Sequence, residues 1–283
     1  MTELFTTPDE AIRAVLLIAT LGVALSLVED MSRSDVFAPT GLLSWTVLRI
    51  TSQPSTPRPL WRVLNRVFAP APFAWIMRLA LASSLCLATT LLYLPHASAI
   101  IATLTAAVLC WLLLMNCRTV FGLDGAHHMH MVVFGSSALF FLAPAGSLAS
   151  MLCVVFIAAQ AVLAYTVSGV VKLLGPMWRR GEAVTGIMST CIYGRAWLWR
   201  FLQTRPAVAS TVCWSVILFE CCFLLTLVAG PGLLQTLLVL GVLFHGAVAV
   251  FMGLNGFFVI FIATYPAVVY LNHLITGHGF LSW

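Results

Sequence analysis

Long apolar runs alternate with short polar stretches along the chain. Eight runs reach the roughly 17–25 residues that a helix needs to cross a bilayer. They cover residues 11–28, 73–94, 97–116, 127–143, 147–174, 206–229, 233–252 and 256–275. Pro95 and His96 make a tight connection, and Pro144 with Gly146 turns the chain into the fifth run. The last apolar block is too long for one helix, and Gly253, Leu254, Asn255 and Gly256 divide it. Between the first two runs, Pro54, Pro57, Pro59, Pro70 and Pro72 rule out one continuous helix. Within that stretch Leu42–Ile50 and Leu60–Phe68 mix Trp and Arg with Leu and Val, as helices lying in the membrane interface do. Met177–Thr204, with Trp178, Arg179, Arg180, Arg195, Trp197, Trp199 and Arg200, reads as a further interfacial helix. The pattern predicts an all-α polytopic transmembrane bundle. Residues 1–283 form a single membrane domain of about eight spans plus amphipathic interfacial helices.

Composition agrees. Apolar residues make up 61% and charged residues 8%, against about 25% charged in a soluble domain. Mean hydropathy is +1.03. The acidic N-terminus has no basic leader region, so no cleaved signal peptide is expected. Arg33, Arg49, Arg58, Arg62, Arg66 and Arg78 fall between or at the edges of spans one and two, Arg118 follows span three, and Arg179 to Arg205 follow span five. All of these connections fall on one side of an eight-span chain. The positive-inside rule therefore places both termini outside the cytoplasm. No basic patch is interleaved with aromatics, which sets nucleic-acid binding aside. The eight cysteines lie mostly within apolar runs, without C-x-x-C, and read as small hydrophobes rather than a redox pair.

Against this background a few polar groups stand out. Lys172 is the only lysine; the other thirteen basic residues are arginine. A charge within hydrocarbon costs roughly 2.5–3.5 kcal/mol on insertion scales and marks function by default. At helical spacing Tyr165, Ser168, Gly169 and Lys172 share one face. Asp124, His127, His128 and His130 cluster at the mouth of span four, where Asp124 is spaced to fix the tautomer of His128. Glu220 lies in span six, His245 in span seven and Asn255 at the last break. Each has a plainer reading. Lys172 snorkels to the headgroups, Glu220 is a neutral acid bonded to a neighbouring backbone, and the histidines bond between helices or at wet helix ends.

Two chemistries fit these residue types. In one, Lys172 sits dry beside an internal cavity and takes a proton from an acidic hydroxyl, with a histidine facing it to hold the anion. In the other, His127, His128, His130, His245 and Glu220 bind one or two metal ions.

The run Tyr165, Gly169, Lys172, Trp178 and Gly181 resembles the helix-end motif of the vitamin K-dependent γ-glutamyl carboxylase and HTTM (horizontally transferred transmembrane) family. Ala126 to Met129, and Phe244-His245 followed by Gly253, Leu254 and Phe257, are similar to two further blocks of that family. The N-terminal run through Ser26 and Glu29 resembles the bacterial branch that includes sporulation-delaying protein B. The resemblance implies Lys172 as catalytic base and His128 as the group steadying the anion. His127, His130, Tyr165, Trp178, Glu220, His245 and Asn255 would support them. It further implies a reduced, vitamin K-like quinone and a small peptide that is modified or matured. The setting would be the bacterial inner membrane, among its lipids. Two other readings stand beside it. One is a non-catalytic membrane component of a peptide-toxin maturation or immunity system, working with a membrane or soluble partner subunit. The other is a His-ligated metalloenzyme acting on lipid.

Overall fold

The structure is a computed structural model that describes residues 4–38, 40–41, 43–52, 58–119 and 125–280. In chain order its helices are α1 (Pro8–Ser32), α2 (Trp45–Ser52), α3 (Arg58–Val67), α4 (Pro70–Tyr93), α5 (Ser98–Arg118), α6 (Gly125–Leu142) and α7 (Leu148–Leu174). Then come α8 (Pro176–Arg179), α9 (Ala183–Met188), α10 (Ala196–Gln203), α11 (Pro206–Cys222), α12 (Pro231–Met252), α13 (Asn255–Ala263) and α14 (Tyr265–Thr276). No strand occurs among the described residues. Seven segments are long and apolar enough to cross a membrane: α1, α4, α5, α7, α11 with its 3-10 extension to Leu227, α12, and α13 with α14. This is an integral membrane protein of the all-α polytopic class.

Helix ends follow local chemistry. Proline opens α4, α8, α11 and α12 at a first-turn position, where its missing N–H costs nothing. Gly253, at a φ of +74°, closes α12 where the sequence predicts the break. Within the spans, hydroxyls bond back to the carbonyl four residues earlier, as Thr20 to Leu16, Ser84 to Ala80 and Thr105 to Ile101 do. Such groups bring no unpaired donor into hydrocarbon.

Two expectations change. The fourth predicted span is a helix, α6, but His127, His128 and His130 in its first two turns keep it out of the set of seven. Met177–Thr204 is not one interfacial helix but three short ones, α8, α9 and α10. Gly181 turns the chain at a φ of +77° after α8, in the left-handed region that glycine favours. A cross-linked turn, with Gly194 N–H donating to Thr190 O, then separates α9 from α10. Helices do form where the two segments before α4 are expected to, as α2 and α3. Pro54 and Pro57 between them lie outside the described residues, as does Asp124.

The chain divides into two compact units, residues 16–147 and residues 1–15 with 148–283. In the first, α5 packs against both α4 and α6. Below them an aromatic cluster joins α2, α3 and the start of α4: Trp45 lies 4.7 Å from Phe68 and 5.8 Å from Trp61, ring centre to ring centre. The Trp45 indole donates to Asn65 Oδ1 at 2.9 Å.

In the second unit α7 packs against α11 and α14, and α12 against α13. Two close approaches depend on glycine. A Cβ on Gly169 of α7 would fall 2.7 Å from the backbone nitrogen of Cys221 in α11. A Cβ on Gly241 of α12 would fall on the Tyr265 hydroxyl. Tyr265 to Asn272 of α14 are all buried. The Asn272 amide donates to the carbonyls of Thr226 and Ala229, at 2.8 and 2.9 Å, where the chain leaves α11.

Overpacking a filled contact costs about 1–3 kcal/mol. Gly169→Val is therefore expected to lower the midpoint of thermal unfolding in detergent, whereas Gly135→Ala, whose Cβ would meet open space, leaves it in place. Equal midpoints for the two variants would refute the close approach of α7 and α11.

Candidate functional site

The site is built on α7. Tyr165, Ser168 and Lys172 stand at helical spacing and all line one chamber of about 340 Å3 in the second unit. Gly169, on the same face, has no side chain and lets α11 come close. That approach brings Glu220 of α11 to Lys172. The Lys172 ammonium donates to both carboxylate oxygens, at 2.6 and 2.9 Å, and to Ser168 Oγ at 2.5 Å. Ser168 Oγ in turn donates to Glu220 Oε1 at 3.3 Å. The Glu220 side chain is 5% exposed and that of Lys172 18%, so the pair is screened little by water. Trp178 of α8 closes the group from the far side, its ring centre 5.3 Å from the amine, within range of a cation–π contact.

The rest of the chamber is apolar and aromatic. Phe244 comes from α12, Phe257 and Phe261 from α13, and Ile187, Met188 and Leu198 from α9 and α10. Tyr165 stacks on Phe223 at 3.9 Å and shares a hydrogen bond with Tyr265, hydroxyl to hydroxyl, at 3.0 Å. His245 of α12 also lines the chamber. It lies parallel to Phe261 at 4.5 Å, and both of its ring nitrogens are buried with no hydrogen-bond partner among the described residues. A buried imidazole left in that state costs about 1–3 kcal/mol.

A second apolar depression, of about 550 Å3, runs between α11 and α12. It is lined by Leu218, Phe219, Leu237 and Leu240 among others, and shares Val216 and Phe244 with the chamber. Two side chains thus form a common wall between the chamber and a groove on the lipid-facing side of the pair, where Leu218 and Leu240 are exposed.

The structure gathers Lys172, Glu220, Tyr165, Trp178 and His245 from four helices. It does not add the other predicted residues. His127, His128 and His130 belong to the other unit, and none of them lines the chamber. The His127 ring nitrogen Nε2 pairs with Leu112 O at 3.1 Å, His130 Nδ1 pairs with Ala126 O at 2.9 Å, and His128 is exposed. Asn255 opens α13 beside the chamber residues Leu254 and Phe257 without lining the chamber itself. Among the described residues no three His, Cys, Asp or Glu side chains converge as metal ligands would. The alternative metal set of His127, His128, His130, His245 and Glu220 is therefore not assembled. The Lys172–Glu220 contact is the main feature that the reading of separate residues missed. The signal was available: the only lysine and a carboxyl deep in span six are two charges that hydrocarbon tolerates best as a pair. No family model, curated protein or solved structure matches the chain.

Breaking a buried ion pair by removing one partner costs about 3–5 kcal/mol, while replacing both with apolar residues is close to neutral. Lys172→Met and Glu220→Met are each expected to destabilise the protein strongly, and the double variant to recover most of the loss. Thermal unfolding of the four proteins in one detergent measures this. Additive losses in the double variant would contradict the pairing.

Proposed function

We propose that the chain is a membrane enzyme acting on a lipid-soluble molecule that carries an acidic hydroxyl, with Lys172 and Glu220 as the proton-accepting pair. The observation that carries the reading is the chamber itself: a largely aromatic cavity whose few polar groups are one buried ion pair and an imidazole with nothing to bond. A flat ring bearing hydroxyls matches that lining. Its faces meet Phe244, Phe257 and Phe261, and its polar edges meet His245 and Lys172. In this reading Lys172 does not act alone as the base: its ammonium is already hydrogen-bonded to the carboxylate, so Glu220 accepts the proton and Lys172 supplies the positive charge. A proton leaving the ligand's hydroxyl ends on the Glu220 carboxylate. The pair then carries a net positive charge next to the new anion, which Lys172 stabilises. His245 holds a second polar atom of the ligand. The groove that shares Val216 and Phe244 with the chamber fits entry from the bilayer.

A reduced quinone is the ligand class that the carboxylase-like HTTM resemblance brings to this lining, and the residues present fit it. When bound it supplies the electrons for an oxygen-dependent modification of a small peptide. Placement in a bacterial inner membrane with both termini outside the cytoplasm belongs to the same reading. It rests on the arginine distribution and needs α6 to cross as an eighth span.

One observation favours a second reading. Lys172 Nζ has three acceptors within 2.9 Å, Ser168 Oγ and both Glu220 oxygens. That is the full set for an ammonium, and it suits a scaffold pin in a non-catalytic partner of a peptide-toxin or immunity system.

Binding of a naphthohydroquinone, followed by quenching of tryptophan fluorescence, separates the two. The enzyme reading expects His245→Leu to weaken binding about tenfold, the scale of one lost hydrogen bond to a buried group. Glu220→Gln should still bind but no longer take up a proton on binding. Full binding and full cellular phenotype in the Lys172→Met, Glu220→Met double variant would leave the scaffold reading standing.

A further inference from the structure

A second polar cavity lies in the other unit, far in sequence from Lys172. It measures about 170 Å3 and sits between α2, α3 and the first turn of α4. Its polar side is Ser44, Thr46, Arg49 and Asn65; Phe37 and Phe68 line the opposite side. We propose that this cavity binds the phosphate of an anionic phospholipid headgroup.

Three observations support the assignment. The first is uncompensated positive charge. Arg49 lines the cavity, and Arg58, Arg62 and Arg66 recur every four residues along one face of α3. Among the described residues none of the four is paired with a carboxylate. Behind the Phe37 wall, Arg118 is buried with its guanidinium 5.0 Å from Phe37 and 4.2 Å from Phe73, and its Nε and Nη1 have no hydrogen-bond partner among the described residues. Asp30 is the acidic group whose field reaches Arg118. The second is the donor set. Asn65 accepts from the Trp45 indole through Oδ1, which leaves its amide nitrogen as the donating end. With the Arg49 fork and the Thr46 hydroxyl it supplies the donors a phosphate needs.

The third observation decides the source of the phosphate. The face of α3 opposite its arginines carries Leu60 and Val63, 50% and 55% exposed, and α3 has no buried residue. Only Phe68 and Ala69 separate α3 from α4, a membrane span. A helix so tethered lies in the interface, with its apolar side in hydrocarbon and its guanidinium groups level with the lipid phosphates. A site for free phosphate gives no account of that exposed apolar side.

The test uses the full chain in phosphatidylcholine nanodiscs containing a minor fraction of phosphatidylglycerol. The retained lipid is counted by native mass spectrometry. Phosphatidylglycerol is expected to be enriched over its share in the disc. Arg49→Gln and Arg62→Gln should each lower its retention about fivefold, the weight of one basic residue at an anionic surface. Arg49→Lys keeps the charge and should keep most of the retention. Arg78→Gln, whose arginine packs on Trp75 away from the cavity, should leave it unchanged. All of these arginines are exposed, so the variants fold, and circular dichroism checks that they do. Equal retention of phosphatidylcholine, or no change in Arg49→Gln, overturns the proposal. Displacement of the lipid by millimolar inorganic phosphate in detergent overturns the lipid assignment and leaves a free-phosphate site.

Discussion

An ammonium and a carboxylate in hydrocarbon must find each other, and much of the second unit follows from that need. Lys172 and Glu220 lie 48 residues apart on different helices. Their contact requires α7 and α11 to approach more closely than ordinary side chains allow, and Gly169 permits it. Ser168, one helical turn before Lys172, bonds to both partners and fills out the ammonium's acceptors. The desolvation penalty of each charge is several kcal/mol. Only a geometry this complete offsets it, which is why the local features converge on one short stretch of α7.

What surrounds the pair follows a different rule. The aromatic shell of Tyr165, Phe223, Phe244 and Phe261 keeps the neighbourhood dry, which strengthens the attraction within the pair while raising its desolvation cost. His245 is the exception within that shell. It is enclosed and stacked, yet neither of its nitrogens has a hydrogen-bond partner among the described residues. Natural cores rarely leave such a group unpaired. In the proposed function its missing partner is a polar atom of the ligand.

The spans were legible because hydropathy, proline and glycine act locally: Pro70, Pro206 and Pro231 open helices, and Gly253 closes one, without reference to any neighbour. The shared face of Tyr165, Ser168 and Lys172 was legible for the same reason, since it needs only the helical period. What was not legible depended on the fold of distant segments. The division of residues 177–204 into three pieces turns on the positive φ of Gly181, where a Cβ would strike Ser210 of α11. That the histidine cluster belongs to the unit without the chamber could not be read from spacing either. Nearness in sequence to a membrane mouth says nothing about which unit the residues join. Nor could spacing show that Arg118 has its guanidinium over the rings of Phe37 and Phe73.

The amide of Asn272 has a consequence for how the protein is made. It closes two open carbonyls, those of Thr226 and Ala229, that lie 46 and 43 residues earlier in the chain. Until α14 has left the ribosome and entered the bilayer, the exit from α11 has no partner for those groups. During biosynthesis the turn between α11 and α12 therefore stays provisional while everything upstream of it is already inserted. Completion of the final helix sets it.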